Sequence, residues 1–143
     1  MENKKSDLLE PDLSYKIQGC VFKTANKYGK GLKESIYQRA LAEEFEKNGL
    51  KYEEQKRINI HSLDTGNKLG SYVPDFVVED KIIVEIKASN FTRPEDINQQ
   101  RSYLRASRYE IAYLINFCSQ NLEIRRSIHT TDRKQFIAKL IRD

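Results

Sequence analysis

The sequence contains little of what would tie it to a membrane, a disulfide framework or a zinc site. No run of about 18 apolar residues is present, and the polar start MENKKSDLLEPD lacks a signal peptide's apolar stretch, so we expect a cytoplasmic protein without a membrane partner. The two cysteines, Cys20 and Cys118, lie far apart and outside any metal-ligand spacing, which indicates reduced thiols. The two histidines, His61 and His129, stand alone, which argues against histidine chemistry.

The chain has the size and composition of one folded domain. Its 143 residues are 38% hydrophobic, which suffices for a core and differs from the composition of disordered chains. It contains no repeats, low-complexity tracts or Pro/Gly-rich linkers, and no Gly-rich phosphate loop. We expect a flexible tail over residues 1–12 and a single domain over residues 13–143.

The positive charge is concentrated near the C-terminus. Residues 1–100 contain 16 Lys and Arg against 17 Asp and Glu, whereas residues 101–143 contain 9 against 4. Such a surplus attracts phosphates, although a solvated helix face has the same composition. The residues that would form a phosphate-binding face are Arg101, Arg105, Arg108, Arg125, Arg126, Arg133 and Lys134.

Hydrophobic periodicity and turn signals predict the order helix, helix, three strands, helix, two strands, helix. This order indicates an α/β class with a mixed central sheet whose middle strands are covered on both faces. Thr92 and Glu95 match a capping box at the start of the third helix. The predicted helices are 13–28, 32–48, 92–107 and 131–141, and the predicted strands are 52–61, 69–78, 81–88, 110–117 and 122–126.

The charged residues of the third predicted strand are the first candidates for chemistry. Side chains alternate along a strand, so Glu85 and Lys87 share one face of an otherwise apolar segment. A tight turn centred on Asp80 would place Asp75 opposite Glu85, with Cβ atoms about 4.5–5.5 Å apart. Two carboxylates at that distance destabilise a sheet unless a positive charge lies between them.

A divalent cation is the natural partner for this acidic pair. Oxygen ligands from two acidic side chains, completed by water and substrate phosphate, suit Mg²⁺ (or Mn²⁺) better than zinc. Lys87 would then orient or deprotonate a water and offset charge at phosphorus. The plainer alternative is that Glu85 and Lys87 are a solvated strand pair and that Asp75 belongs to a strand-end bend.

Two motifs resemble those of known nucleases. Pro74-Asp75 followed by Glu85-Ile86-Lys87 resembles the PD-(D/E)XK motif of the restriction-endonuclease-like superfamily, and GLKESIY over residues 31–37 resembles the G-x-x-E-x-x-Y signature of its GxxExxY family. The resemblance extends over about residues 13–128. It implies a restriction-endonuclease-like αβββαβ core, here with an extra N-terminal helix and a C-terminal helix. Further segments that resemble the family in order and spacing are LGSY (69–72), VEIKAS (84–89), QQRSYL (99–104) and LINF (114–117).

The resemblance also implies roles for individual residues. Asp75, Glu85 and the carbonyl of Ile86 would bind the metal, and Lys87 would be the catalytic lysine. Glu34, which helical geometry directs inward, would add to the metal shell; the alternative is a first-turn carboxylate favoured by the helix dipole. Gln99 and Tyr103, spaced i, i+4, would position the scissile phosphate, and Gln100 next to Gln99 leaves that assignment open by one position.

The sequence therefore favours a Mg²⁺-dependent phosphodiester hydrolase, a nuclease that acts on nucleic acid, with DNA as the expected substrate. The first alternative is a non-catalytic nucleic-acid-binding or protein-interaction domain on the same fold, because fold and motif do not prove activity. The second is a small structural domain with an exposed acidic pair. A homodimer is compatible with duplex cutting.

Overall fold

The computed structural model describes residues 9–142, with side chains described through residue 140, and residues 1–8 of the expected tail lie outside the described part. The first helix begins at Pro11, two residues before the predicted start, because proline is favoured in the first turn of a helix. The elements are α1 (Pro11–Tyr28), α2 (Glu34–Lys47), β1 (Tyr52–Glu54), β2 (Ile58–His61), β3 (Lys68–Tyr72), β4 (Phe76–Val78), β5 (Ile82–Lys87), α3 (Pro94–Arg105), β6 (Ile111–Asn116), β7 (Glu123–Ile128), a 3₁₀ turn (Thr131–Arg133) and α4 (Phe136–Arg142).

Five of the strands form one mixed sheet in the order β1-β4-β5-β6-β7. Only β5 and β6 run parallel, and α3 makes the crossover that a parallel pair requires. The remaining pairs in this sheet are antiparallel. The predicted α/β class with a mixed sheet flanked by helices is confirmed.

Helices and a hairpin cover the two faces of the sheet. On one face, Ile82, Val84 and Ile86 pack in one core with the apolar sides of α1 and α2. On the other face, Ile83 packs in a second core with Leu104 of α3 and residues of the β2–β3 hairpin. Strand β5 is thus buried from both sides, and polar side chains on it are confined to the end where the strand emerges.

Two segments predicted as single strands are each divided in the structure. The segment 52–61 breaks where Gln55 adopts a φ of 55°, and the segment 69–78 breaks around Pro74, which has no N–H to donate. The first half of 52–61 is β1 and the second half of 69–78 is β4, and both join the large sheet. The remaining halves, β2 and β3, pair with each other. The prediction that each of these two segments is one continuous strand is therefore wrong.

The β2–β3 hairpin rests on the C-terminal end of α3. The backbone N–H of His61 donates to the Ala106 carbonyl at 2.8 Å, and the His61 ring stacks on Phe136 with 5.5 Å between centroids. This histidine is buried and has a structural role. Its position fixes the hairpin, and with it Tyr72, beside the central strand.

The predicted C-terminal helix is interrupted at Lys134, whose backbone is extended. Its buried ammonium donates to the carbonyls of Leu104 and Ser107 at 2.9 and 2.8 Å and also to that of Tyr109. These carbonyls lie at and just beyond the end of α3. A side chain from the C-terminal segment therefore caps the C-terminal end of that helix. Over residues 9–142, no helix is long and apolar enough to cross a bilayer.

Candidate active site

Asp75 and Glu85 lie at the end of the central β4–β5 hairpin. Phe76 is paired with Val84, which is the register predicted from the sequence, and one further step in that register sets Asp75 opposite Glu85. Asp75 Oδ2 accepts a hydrogen bond from the backbone N–H of Ile86 at 2.8 Å. The side chain of Asp75 is thereby held against β5 beyond the last backbone pair.

The turn that sets this register is fixed by its own contacts. Glu79 and Asp80 both have a φ of 53°, the left-handed conformation found in tight hairpin turns. Asp80 Oδ1 accepts hydrogen bonds from the Tyr109 hydroxyl at 2.8 Å and from Lys56 Nζ at 2.9 Å. A shift of register would move Asp75 away from Glu85, and these contacts oppose it.

Both carboxyl groups have pKa values above their usual range. Burial raises the pKa of Asp75, and the N–H of Ile86 and the charge of Lys87 lower it only in part. Burial also raises the pKa of Glu85, the charges of Asp75 and Glu34 add to that increase, and Lys87 opposes it. The site thus concentrates negative charge in a partly buried position, which a bound cation would offset.

The hydroxyl of Tyr72 donates to Glu85 Oε1. The Tyr72 ring also stacks on that of Tyr103, with 4.4 Å between centroids and 23° between planes. Tyr103, one of the predicted site residues, thus contacts the tyrosine that donates to Glu85. Tyr72 was not among the predicted site residues, because its contact with Glu85 depends on how the β2–β3 hairpin docks.

Lys87 is two residues beyond Glu85 on the same face of β5, as the alternation predicts. Its ammonium lies 4.0 Å from Asp96 Oδ1, in the first turn of α3. Asp96 was also not predicted, and the only sequence signal for it was an acidic residue at a helix start. The lysine therefore lies between the acidic pair on one side and a third carboxylate on the other.

The loop after Lys87 is held by Asn116, its partner across the parallel β5–β6 pair. Asn116 Oδ1 accepts from the backbone N–H of Ser89 at 3.2 Å, and its amide nitrogen donates to the hydroxyl of Thr92 at 3.1 Å. The predicted capping role of Thr92 is wrong: α3 has Arg93 at its N-cap position, and no side chain caps it. Asn116 was detectable in principle as the one polar residue at the end of an apolar strand.

Glu34 is the first residue of α2, and its side chain is exposed rather than directed inward as expected. Partial burial of its carboxyl group raises its pKa, and the charges of Asp75 and Asp96 raise it further while Lys87 lowers it. The carboxyl group of Glu34 is therefore in electrostatic contact with the acidic pair, at the rim of the site.

The glycine and the tyrosine of the GLKESIY segment, Gly31 and Tyr37, help to position Glu34. Gly31 has a φ of 99°, a conformation that favours glycine. The Tyr37 hydroxyl donates to the Gly29 carbonyl at 2.5 Å and accepts from the N–H of Leu32 at 3.4 Å, and its ring stacks on Phe117. Tyr37 thus fixes the loop that delivers Glu34 to the rim.

The two adjacent glutamines of α3 differ in their surroundings. Gln100 is buried and donates from Nε2 to the Tyr113 carbonyl at 2.8 Å, which anchors the helix on β6. Gln99 is exposed, one turn before Tyr103. Gln99 is therefore the one of the two whose amide is free to meet a substrate.

The donor set fits a hard divalent cation better than zinc. Asp75, Glu85 and the carbonyl of Ile86 offer oxygen ligands, with Glu34 nearby. Among residues 9–142, no group of three or more His, Cys, Asp or Glu side chains is arranged to hold an ion. A cation at this site would therefore be completed by backbone oxygen, water and phosphate, as is usual for Mg²⁺.

Comparison with known proteins gives one family match and one similar structure. Residues 11–127 match the family model of the PD-(D/E)XK nuclease superfamily. No curated protein sequence matches at a significant level. The crystal structure of an alkaline exonuclease from Laribacter hongkongensis is similar with a TM-score of 0.47 and 16% identity, over 76% of this chain and 66% of the exonuclease chain.

Proposed function

Because the chain belongs to the PD-(D/E)XK nuclease superfamily, we propose that it hydrolyses phosphodiester bonds in nucleic acid, with DNA as substrate and Mg²⁺ or Mn²⁺ as cofactor. The observation that carries this proposal is the set formed by Asp75, Glu85 and Lys87. The two carboxylates lie at adjacent strand ends with raised pKa values, and the lysine shares the face of Glu85. The GLKESIY segment supports the finer prediction that the chain is a GxxExxY protein.

The metal ligands in this proposal are Asp75, Glu85 and the backbone carbonyl of Ile86, with Glu34 as a supplementary ligand at the rim. A divalent cation held there would supply positive charge that polarises a phosphate and acidifies water. The raised pKa values of Asp75 and Glu85 fit this role, because carboxylates that repel each other gain most from a cation between them.

The other residues orient the reactants. Lys87 directs its ammonium to the side of the acidic pair, where it orients the attacking water and offsets negative charge that develops at the phosphate. Asp96, 4.0 Å from that ammonium, limits its movement. Tyr72 holds Glu85 through its hydroxyl, and Tyr103 and Gln99 position the phosphate from α3.

The experiment is a cleavage assay on the wild type and on Lys87→Ala. Labelled duplex DNA, single-stranded DNA and RNA are incubated with Mg²⁺, with Mn²⁺ and with EDTA. We expect cleavage of DNA in the presence of metal, no cleavage in EDTA, and a loss of at least about a hundredfold in Lys87→Ala, the size typical for removal of one electrostatic stabiliser.

The matched control is Lys81→Ala. Lys81 is an exposed lysine in the turn just before the opposite end of the same strand, 3.6 Å from Glu10, so its loss should leave the rate unchanged. Retained cleavage in folded Lys87→Ala would contradict the mechanism. Binding of DNA without cleavage under every metal condition would favour a non-catalytic binding domain.

Two further predictions concern the cellular location and the oligomeric state of the protein. We infer that the protein acts in the cytoplasm, and that cutting of both strands of a duplex involves a homodimer. Light scattering of the purified protein with and without a short duplex measures the second, since a dimer doubles the scattering mass. A monomer that cuts both strands would contradict it.

A further inference from the structure

We propose that a basic surface between α3 and β7 binds the phosphodiester backbone of the DNA on the far side of α3 from the bond that is cut. This surface, the α3–β7 surface, consists of Arg101, Arg105, Arg125, His129 and Arg133. The inference rests on the proposed function, which it extends from the reacting bond to the path of the substrate. It also selects, from the basic residues of the C-terminal third, those that face the substrate.

Three of the seven basic residues expected from the sequence to form such a face are directed elsewhere. The ammonium of Lys134 is buried against backbone carbonyls. Arg126 lies on the opposite face of the sheet, where it donates to the Leu9 carbonyl at 2.7 Å. Arg108 lines a separate cleft beside Asp80 and Glu10. The continuous surface is therefore smaller than the sequence predicts.

The arginines that remain converge on one flank of α3. Arg101 Nε donates to the hydroxyl of Ser127 on β7 at 3.3 Å. One turn later, Arg105 lines a cleft of about 310 Å³ together with His129 and Arg133. Helix spacing places Arg101 and Arg105 on the same side, so their guanidinium groups follow the edge of the sheet.

Most of this positive charge has no acidic partner among the residues whose side chains the structure describes. Over the residues with described side chains, no carboxylate forms an ion pair with Arg101, Arg105 or Arg133, whereas Arg125 is bound to Glu123 at 2.7 Å. Asp64 also lines the cleft and is the acidic residue that faces it. Arginine side chains left without a carboxylate partner are available for phosphate groups.

The surroundings of His129 give independent support for this concentration of charge. Its pKa is lowered by burial, and then by the charges of Arg133, Lys134 and Arg105. Positive charges in the 3₁₀ turn, in the segment that follows it and in α3 therefore all act on the ring of His129. A polyanion at this position would be stabilised by the same charges.

The surface lies on the same face of the sheet as the acidic pair, but on the other side of α3: Tyr103 stacks on Tyr72 beside Glu85, whereas Arg101 bonds to Ser127 of β7. In the sheet register, Glu85 pairs with Leu114, and Leu114 pairs with Arg125, so these three side chains point to the same face. Arg125 is thus two strands from Glu85, roughly 10 Å across the sheet. From Arg125 the surface continues along the chain for four residues, roughly 13 Å, to His129 just beyond the end of β7.

The shared face of the acidic pair and the arginines favours nucleic acid over other polyanions. An acidic peptide or an anionic lipid surface would find the same arginines, but neither would explain why the charge begins in the same row of the sheet as Glu85. A DNA duplex whose scissile phosphate lies at Asp75 and Glu85 would extend across α3, and its phosphates beyond that helix would meet Arg125, Arg101 and Arg105.

The test is DNA binding by the double variant Arg105→Ala/Arg133→Ala. Fluorescence anisotropy of a labelled DNA duplex is measured in EDTA, where no cleavage is expected, over a series of salt concentrations. We expect weaker binding, and a plot of log affinity against log salt whose slope is smaller by about two units, one for each lost phosphate contact. The control is Lys16→Ala/Lys23→Ala, which removes the same charge from exposed positions of α1 on the other side of the sheet.

The outcomes separate the two proposals. An equal loss of slope in both double variants, or none in either while the wild type binds and cuts DNA, would overturn the α3–β7 surface and leave the proposed function intact. A wild type that neither binds nor cuts any nucleic acid would overturn the proposed function itself. If Arg105→Ala/Arg133→Ala lost binding of a labelled polyglutamate peptide but not of DNA, the surface would be one for acidic proteins, contrary to this inference.

Discussion

Glu85 depends on a residue that lies in a different sheet. Its carboxylate accepts a hydrogen bond from Tyr72, which belongs to the β2–β3 hairpin, and Tyr72 in turn stacks on Tyr103 of α3. Removing the donor of a hydrogen bond to a partly buried carboxylate destabilises the folded protein. The orientation of Glu85 is therefore sensitive to the phenol, although Tyr72 contacts neither metal nor substrate in the proposed mechanism.

Replacement of Tyr72 by phenylalanine tests this dependence. Tyr72→Phe keeps the ring stack on Tyr103 and loses one hydrogen bond to a carboxylate, so we expect a loss of about 1.5–3 kcal/mol in the free energy of unfolding. We also expect kcat to fall with little change in KM, because Glu85 is less well oriented while substrate contacts remain. Tyr15→Phe, at a tyrosine that is 80% exposed, is the control. Equal kcat values for wild type and Tyr72→Phe would show that the hydroxyl does not orient Glu85.

At the scale of elements, α3 is fixed at its middle and at its C-terminal end by side-chain hydrogen bonds to backbone carbonyls. Gln100 attaches its middle to β6, and Lys134 binds the carbonyls at its C-terminal end. Asp96 in its first turn and Tyr103 near its last turn both face the site. The position of this one helix thus determines how Lys87 and Glu85 are surrounded.

Lys134 makes stability dependent on pH. Burial lowers its pKa from the usual 10.5 to about 8, so between these values the unfolded chain binds more protons than the folded chain. The folded state is therefore penalised in full below about pH 8, and stability rises as pH increases from about 8 to 10.5. The whole effect is roughly 3 kcal/mol.

Comparison with Lys134→Met isolates this contribution from the tyrosines and other lysines. Urea unfolding of both proteins is measured from neutral pH to pH 10.5. The difference in the free energy of unfolding, wild type minus variant, should become more positive with increasing pH. A difference independent of pH would show that the ammonium keeps its usual pKa in the folded protein.

The parts of the fold that sequence predicted are those set by local pattern. Strand β5 follows from the apolar run around Val84, and the register of Asp75 with Glu85 follows from the tight turn at Asp80. What sequence did not predict depends on packing between distant segments. Examples are the pairing of β2 with β3 outside the large sheet and the break in the C-terminal helix at Lys134.

The same distinction holds for the site. Lys87 and the acidic pair could be found from alternation along one hairpin. Tyr72 and Asp96 could not, because each reaches the site only through the docking of a hairpin or a helix. Glu34 was placed on the correct element, but its exposure at the start of α2 differs from the inward orientation expected.

At the scale of the whole molecule, the fold brings an acidic site and a basic surface to the same face of the sheet. The central strand β5 is buried by α1 and α2 on one side and by α3 and the hairpin on the other. Its emerging end, with Glu85 and Lys87, is left open between them. The central claim is that this end, together with Asp75, is a site for a divalent cation.

The thermal stability of Asp75→Asn and wild type, each with EDTA and with Mn²⁺, tests that claim most directly, because it needs no substrate. In EDTA, the variant should melt at the same or a higher temperature, since the asparagine oxygen still accepts from the N–H of Ile86 while the repulsion with Glu85 is removed. Free metal at about 100 times its Kd stabilises the native state by about 2.7 kcal/mol. We therefore predict a rise in Tm of about 5–10 °C for the wild type and little for the variant. Equal metal-induced shifts in the two proteins, or a lower Tm for the variant in EDTA with no shift in either, would contradict the account.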